Sequence, residues 1–261
     1  MFDFHLHTNV SFDSESHARD MADAAARAGL REICFTDHWD DNRDTGEETH
    51  LFSLTDYARA YDDLSHPDLK IRRGIEFGIS PTNRHLVDEV LAQRSFDFVI
   101  GSVHYVNGKD PYYPEFWVGR GVEDAFRSYL EQTLQSVQAH DNFDVLGHLT
   151  YVCKSEHNPT HQPLLLRDFE EITDEILRVL VKKDKGMEIN TSGVDRAGVF
   201  LPSADFLKRF RELGGEIVTV GSDAHFPERI GQYVPEALEI LKDIFGYVCT
   251  FENRKPTFHK L

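Results

Sequence analysis

Two histidines stand two positions apart near the start of the chain, in the stretch FDFHLH that begins at residue 2. Residues two apart in a β-strand face the same side, so a strand here would present His5 and His7 together. Phe4 and Leu6 would then face the other way, towards covering helices. Imidazole groups, with a carboxylate such as Asp13 nearby, are suitable ligands for zinc, manganese or iron. The spacing therefore predicts that the first strand clamps a metal ion.

Residues of the same types recur where later strand-like stretches end. Six further apolar or β-branched stretches are expected to be strands, at 32–38, 70–77, 97–104, 144–149, 186–192 and 216–225. Their ends carry His38, Glu76, His104, His148, Asp223 and His225, with Asn190 as a weaker oxygen donor. One histidine at a strand end is more often structural than a ligand, but the strand ends of a barrel converge. We therefore expect these residues to share one metal site.

The ligand set is too large for a single ion. Six histidines and three carboxylates, those of Asp13, Glu76 and Asp223, imply two or three divalent ions with a carboxylate bridging a pair. Histidine and carboxylate without thiolate favour Zn, Mn or Fe over calcium or magnesium. Such a centre makes hydroxide from a metal-bridging water and neutralises phosphoryl oxygens, so phosphate ester cleavage is the leading chemistry. Amide hydrolysis or deamination is the alternative.

The strands alternate with helix-like segments, expected at 17–28, 55–65, 84–94, 122–140, 168–185, 203–213 and 235–245. This alternation predicts an α/β fold with a parallel sheet, and seven such units closed on themselves make a barrel. An open doubly wound sheet is the alternative. The longest irregular stretches, 39–54, 105–121 and 150–167, each follow a strand, where loops of α/β proteins build active sites.

Composition limits the partners and the location. The 261 residues are 40% apolar, with no linker or repeat, and we expect a single domain over 1–261. The formal net charge of −17 argues against binding nucleic acid or an anionic membrane, and favours a small substrate with a positive group. No membrane span or signal peptide is indicated, so we expect a cytoplasmic protein. The three cysteines, Cys34, Cys153 and Cys249, are expected in the core.

The motifs, taken in chain order, resemble those of the polymerase and histidinol phosphatase (PHP) superfamily. They are HLH followed by Ser11 and Asp13, TDH at 36–38, GIEFG around Glu76, GSVH at 101–104, GH at 147–148 and GSDAH at 221–225. The stretches IGSVHYV, EINTSG at 188–193 and GSDAHFPERIG at 221–231 are most similar to its histidinol-phosphatase branch. The resemblance implies a distorted barrel of seven β/α units that hydrolyses L-histidinol phosphate, a small phosphorylated metabolite of histidine biosynthesis.

The resemblance also implies how the ligands divide in a trinuclear metal centre. The first metal would be held by His5, His7, Glu76 and Asp223. Glu76 would bridge to a second metal, which is also held by His104 and His148. The third metal would be held by Asp13, His38 and His225. The candidate catalytic residues are Asp223, His225 and Asp37, the last of which could orient a ligand or donate a proton to the leaving alkoxide.

Two basic residues follow ligand-bearing strands. Lys154 follows His148, and Arg196 follows the EINTSG stretch. The resemblance implies that cations near these positions hold the substrate phosphate, although a lysine supplies a point charge where arginine supplies a planar fork. The loop after the fourth strand carries a group of aromatic residues that could contact a ring-bearing substrate, form a subunit interface or pack as a hydrophobic cluster: Tyr105, Tyr112, Tyr113, Phe116 and Trp117.

Two other functions are compatible with the same motifs. One is a PHP phosphoesterase that acts on nucleotides, oligonucleotide ends or phosphotyrosine. The other is a non-catalytic metal-binding domain that serves a partner protein. The acidic composition disfavours long nucleic acid, and the ligand types at all nine positions favour catalysis over a scaffold.

Overall fold

Seven parallel strand positions form a nearly closed barrel in the computed structural model, which describes residues 1–43 and 49–261. The strands are β1 (Phe2–Leu6), β2 (Glu32–Phe35), β3 (His38–Asp40), β4 (Lys70–Gly78), β5 (Phe98–Ser102), β6 (Val145–Leu146), β7 (Gly186–Asn190) and β8 (Val218–Gly221). They pair in the order β1-β2-β4-β5-β6-β7-β8, and β3 also pairs with β4. The predicted strand 32–38 is thus two strands, β2 and β3, that share one place in the barrel.

The two edge strands of this order, β1 and β8, meet beyond their carboxyl ends. The amide of His7 donates to the carbonyl oxygen of Ala224 at 2.9 Å, and the amide of Asp223 donates to that of His5 at 2.8 Å. Leu6 and Ala224 also form a parallel bridge. These bonds curl the sheet round on itself, so the predicted (β/α)₇ barrel is confirmed and the open doubly wound sheet is excluded.

Helices cover the outside of the barrel. They are α1 (Ala18–Arg27), α2 (Leu54–Tyr61), α3 (Arg84–Gln93), α4 (Pro114–Trp117), α5 (Val122–Ala139), α6 (Glu170–Lys182), α7 (Val194–Ala197), α8 (Ala204–Glu212) and α9 (Val234–Ile244). The seven predicted helices are confirmed. Of the two short additional helices, α4 lies inside the predicted irregular stretch 105–121, and α7 lies between the predicted strand 186–192 and the predicted helix 203–213. In α1 the buried residues include Met21, Ala22 and Ala25, which recur at helical spacing and so give the helix one apolar face. None of the helices among the described residues is long and apolar enough to cross a membrane.

A register shift in β1 changes which side chains enter the barrel. Asp3 pairs with Ile33 and Leu6 with Phe35, so β1 advances three residues while β2 advances two. Phe4 consequently joins an interior cluster with side chains of β2, β5 and β6, while Leu6 packs in the core under the helices. The prediction that Phe4 faces the helices is wrong, because the extra residue lets Phe4 and His5 both point inward.

A two-stranded hairpin that the sequence did not predict closes the amino end of the barrel. It consists of β9 (Tyr247–Glu252) and β10 (Lys255–Lys260), which pair antiparallel. Phe251 packs on Phe98 with ring centroids 4.8 Å apart, and it belongs with Cys249 to the interior cluster that also holds Phe4 and Cys34. All three cysteines are buried, as predicted. We call this closed side the hairpin end and the carboxyl side of the strands the metal end.

Candidate metal centre

Four histidines lie within 3.3 Å of the carboxylate of Glu76 at the metal end. Its Oε2 atom lies 2.9 Å from His38 Nδ1 and 3.1 Å from His5 Nε2. Its Oε1 atom lies 2.9 Å from His148 Nε2 and 3.3 Å from His104 Nε2. These side chains come from β1, from the start of β3, from β4 and from the segments after β5 and β6. Glu76 is therefore placed to bridge two ions, as a shared carboxylate does in a two-metal site.

A second part of the cluster lies beside the first, around two aspartates. His7 Nε2 is 3.2 Å from Asp223 Oδ1, and His225 Nε2 is 2.9 Å from Asp13 Oδ2. The ring of His7 stacks between those of His38 and His225, with both centroid distances 4.2 Å. His38 connects the two parts, because its Nε2 lies 3.6 Å from Asp13 Oδ2 while its Nδ1 faces Glu76. The structure thus brings all nine sequence-predicted ligands together.

Several of these atoms are buried and have no hydrogen-bond partner among the described residues. They include His5 Nε2, His7 Nε2, His38 Nδ1 and Glu76 Oε2. Buried polar atoms of proteins are nearly always satisfied, so such a group of orphaned ligand atoms calls for a partner. Four sets of three ligand atoms lie within 4.8 Å of one another, and a divalent cation satisfies atoms arranged in this way. The residues present therefore fit a metal centre.

The protonation states suit metal binding at two of these residues. Burial, together with the neighbouring His38 and His225, holds the pKa of His7 well below its ordinary value. Burial works against ionisation of Glu76, but the surrounding histidines outweigh it and hold the pKa of that carboxyl well below its usual range. A neutral imidazole and an ionised carboxylate are the forms that ligate metals.

Two acidic residues that the sequence did not reveal orient ligand histidines. Glu188 Oε1 lies 2.7 Å from His5 Nδ1, and its Oε2 accepts from the amide of His148 at 2.9 Å. Asp40 Oδ2 lies 2.9 Å from His104 Nδ1. A carboxylate behind a ligating histidine fixes the ring orientation and the tautomer. The alternation of side chains along the GMEIN strand indicates only that Glu188 faces inward. Its contact with His5 depends on how the strands are arranged in the barrel.

Glycine is required at one point beneath these groups. A side chain at Gly221 would place its Cβ atom 2.3 Å from Glu188 Oε1 and 2.3 Å from the Cβ atom of His5. Two residues on, Asp223 has φ +55°, a left-handed conformation that costs free energy for residues other than glycine. The backbone on both sides of Ser222 is therefore constrained: Gly221 leaves room for Glu188 and His5, and Asp223 takes a left-handed conformation.

Asp37 lies beneath the ligands and does not line the pocket. It is fully buried, and its Oδ1 accepts from the Thr8 amide at 2.7 Å and from Ser11 Oγ at 3.0 Å. Its Oδ2 accepts a short hydrogen bond from the hydroxyl of Tyr61. Ser11 Oγ is in turn 3.1 Å from His7 Nδ1. Of the two predicted roles, this placement favours the orientation of a ligand, because Asp37 is buried away from the pocket and is linked to His7 through Ser11.

Asn190 does not join the ligands either. Its Nδ2 donates to Glu188 Oε2 at 3.1 Å, and its Oδ1 accepts from the Ser192 amide at 3.0 Å and from Ser192 Oγ at 2.7 Å. The side-chain oxygen of Asn190 therefore accepts hydrogen bonds within the turn that follows β7. The expectation that Asn190 is a weak oxygen donor to metal receives no support from this geometry.

A pocket of about 450 Å³ opens over the cluster. Lys154 lies in it with Nζ 2.7 Å from Asp223 Oδ2, and Arg196 lies in it with Nη1 2.6 Å from the hydroxyl of Tyr112. A third cation, Arg229, also lines the pocket and pairs with Asp195. The sequence reading missed Arg229 as a site residue, although it lies in the GSDAHFPERIG stretch. Three cations beside a cluster of candidate metal ligands are suited to bind an anion.

The aromatic residues after β5 divide between pocket and core. Tyr105, Tyr112 and Tyr113 line the pocket. Phe116 and Trp117 are buried, and Trp117 Nε1 donates to the carbonyl oxygen of Pro111 at 2.8 Å. Three of the five aromatic side chains therefore line the pocket, where contact with a substrate stays a prediction, and the other two pack in the core. The loop 150–167 contributes Tyr151 and Lys154 to the same pocket, and residues 44–48 of the predicted loop 39–54 lie outside the described residues.

Comparison with known proteins agrees with this arrangement. The PHP domain family model matches residues 3–192. A histidinol-phosphatase from Lactococcus lactis is 34% identical over 97% of this chain and 95% of its own length. A probable histidinol-phosphatase from Clostridium acetobutylicum is 29% identical over 99% and 96%. The crystal structure of histidinol phosphate phosphatase from Lactococcus lactis, complexed with zinc, L-histidinol and phosphate, superposes with a TM-score of 0.84 at 32% identity, covering 98% of each chain.

Proposed function

Because the chain belongs to the PHP domain family, we propose that it is a metal-dependent phosphomonoesterase that hydrolyses L-histidinol phosphate to L-histidinol and phosphate. The observation that carries the proposal is the convergence of nine ligand-type residues on one largely buried cluster, beneath a pocket that Lys154, Arg196 and Arg229 also line. A relative that matches nearly the whole chain is a histidinol-phosphatase, and its solved structure holds zinc, L-histidinol and phosphate.

The clusters at the metal end would hold two or three divalent ions of zinc, manganese or iron. Glu76 would be shared by the ions that His5 and His148 face, with His104 beside them. Asp13 and His225 would complete a further position next to His38. When bound, such ions supply a hydroxide nucleophile at neutral pH and neutralise charge on the phosphoryl group. Glu188 and Asp40 hold the rings of His5 and His104 in ligating orientation.

Lys154 and Arg196 would bind the phosphate of the substrate. Both line the pocket directly over the cluster, and Lys154 already faces the ligand Asp223. Arg196 stacks on the ring of Tyr112 with its guanidinium carbon 5.0 Å from the ring centroid, which orients its fork. Asp223 and His225 would act in catalysis as ligands, and Asp37 would position His7 through Ser11.

We take the functional domain to be the whole chain, 1–261. The family model ends at residue 192, yet Asp223 and His225 lie in the cluster, and the C-terminal hairpin closes the barrel. A cytoplasmic location and the absence of nucleic-acid and membrane partners stay predictions from charge and composition. They are consistent with a small phosphorylated substrate.

A substrate panel tests the proposal. Purified protein loaded in parallel with zinc, manganese or iron should release phosphate from L-histidinol phosphate far faster than from a mononucleotide, a sugar phosphate or phosphotyrosine. The Lys154→Ala variant should raise KM for every phosphate monoester in the panel, because it removes a cation that faces the common group. A flat ranking of substrates, or a preference for nucleotides, would remove the assignment of L-histidinol phosphate.

A further inference from the structure

Five carboxylates line the pocket over the metal centre: Asp13, Asp40, Asp110, Asp195 and Asp223. Four of them already face a histidine or a basic side chain. Asp13 faces His225, and Asp40 faces His104. Asp195 pairs with Arg229, and Asp223 pairs with Lys154. The fifth, Asp110, has no histidine, lysine or arginine within ion-pair distance among the described residues.

Asp110 is nevertheless held firmly. Its Oδ1 accepts from the amide of Tyr112 at 2.8 Å and from the hydroxyl of Tyr151 at 3.1 Å. Both donors bind the same oxygen, Oδ1. The other oxygen, Oδ2, accepts no hydrogen bond from the described residues, and it is not fully enclosed by protein. The carboxylate is thus fixed in direction while one oxygen is left for a ligand.

Burial raises the pKa of Asp110 above its ordinary value. A carboxylate kept partly out of water without a cation is costly, and an ammonium group that enters the pocket would offset that cost. The ring of Tyr151 also lies 5.0 Å from that of His148, so Asp110 is anchored through a residue in contact with the metal cluster. A substrate whose phosphate occupies the cluster would therefore have its organic part near Asp110.

We propose that Asp110 determines substrate specificity by pairing with the ammonium group of the substrate. Tyr112 and Tyr151 hold the carboxylate of Asp110 in place for this contact. The inference rests on the proposed function and adds the residue that reads the amino group of L-histidinol phosphate. Lys154 and Arg196 would bind the phosphate and not the ammonium group, since like charges repel. The net negative charge of the chain would then have a counterpart in the pocket, where Asp110 attracts a positive group.

Two substrates and two variants test this. The substrates are L-histidinol phosphate and its deamino analogue, which keeps the imidazole ring, the chain and the phosphate but lacks the ammonium group. The Asp110→Asn and Asp110→Ala variants should lower kcat/KM for L-histidinol phosphate at least about tenfold, mainly through KM. Both variants should change kcat/KM for the analogue by less than about twofold. Metal content, measured on the same preparations, should be unchanged.

The control is Asp243→Asn, which removes one negative charge from an exposed position on α9 and should leave both substrates unaffected. Equal losses on both substrates, or no loss on either, would overturn the role of Asp110 while the wild type still hydrolyses L-histidinol phosphate. Failure of the wild type itself to hydrolyse L-histidinol phosphate would instead remove the proposed function, and the inference with it.

Discussion

The two ends of the barrel differ in whether their buried polar groups have hydrogen-bond partners. At the metal end, His5 Nε2, His7 Nε2 and Glu76 Oε2 are buried without hydrogen-bond partners among the described residues. At the hairpin end, Asp144 accepts from the Val99 amide at 2.8 Å and from Arg254 Nε at 2.5 Å. The space between the strands there is filled by an apolar cluster, while near the metal end it is filled by imidazoles and carboxylates.

The contrast indicates that the hairpin end stabilises the fold and that the metal end destabilises it. Unsatisfied buried groups cost free energy, so the metal end is destabilising until ions bind. The hairpin end offsets that cost with packed rings and with ion pairs such as Arg72 Nε to Glu32 Oε1 at 2.7 Å. Function and stability are thus separated along the barrel axis, which is a common feature of β/α barrels.

The largest expected effect is at the metal end. Replacing Asp223 by alanine should reduce kcat/KM about 1,000-fold or more, because several kcal/mol of charge stabilisation in the transition state are lost. Bound metal per chain should fall in the same variant. Steady-state phosphate release together with metal analysis measures both. Activity within about tenfold of wild type would place the chemistry elsewhere.

The next largest effect is at the hairpin end and concerns stability. Phe251→Ala should lower the free energy of unfolding by about 3–5 kcal/mol, since the ring is buried against Phe98 and its loss leaves a cavity. The matched control is Phe258→Ala in the same hairpin, because Phe258 is 50% exposed and should cost far less. Urea unfolding gives both values. In Phe251→Ala, kcat at a temperature where the protein is folded should match wild type, and a large loss of kcat would contradict the separation of the two ends.

A smaller effect is expected for the residue behind His5. Glu188→Gln keeps the shape of the side chain but removes the charge that orients the imidazole, and should weaken metal affinity about 10–100-fold. Competition with a chelator measures the affinity, and added metal should restore much of the activity. A variant that binds metal as tightly as wild type would assign Glu188 to packing alone.

The smallest effect is a pH dependence at the hairpin end. Burial raises the pKa of Asp144 above its ordinary value. The folded state therefore holds this proton more tightly than the unfolded state, and its contribution to stability is lost as pH rises through the folded pKa. Wild type should lose stability relative to Asp144→Asn on going from about pH 4 to about pH 7. Denaturant unfolding of chelator-treated protein at both pH values checks the sign, and the opposite slope would contradict it.

The sequence predicted the metal end better than the hairpin end, for physical reasons. Strand parity and residue type are local, so His5, His7 and the later strand-end ligands could be read from the chain. The inward turn of Phe4 depends on a register shift against β2, and the partnership of Glu188 with His5 depends on which strands become neighbours. Neither is encoded in a short stretch of residues.

The hairpin was missed because its turn signal is weak. Asn253 and Arg254 both have positive φ, 51° and 63°, in the two-residue loop that joins β9 to β10. Such a loop is usually marked by glycine at its second position. Here Arg254 takes that conformation, and its guanidinium binds Asp144 of the barrel. A tertiary contact thus stabilises a turn that local preference alone does not indicate.

Metal titration of chelator-stripped wild-type protein addresses the proposed metal centre directly, because ligands from six of the seven strand positions are expected to share the bound cations. Each chain should take up two or three equivalents of zinc or manganese, and phosphate release from L-histidinol phosphate should rise in step with their binding. Full activity of the stripped protein, or uptake of no tightly bound metal, would contradict the proposed metal centre.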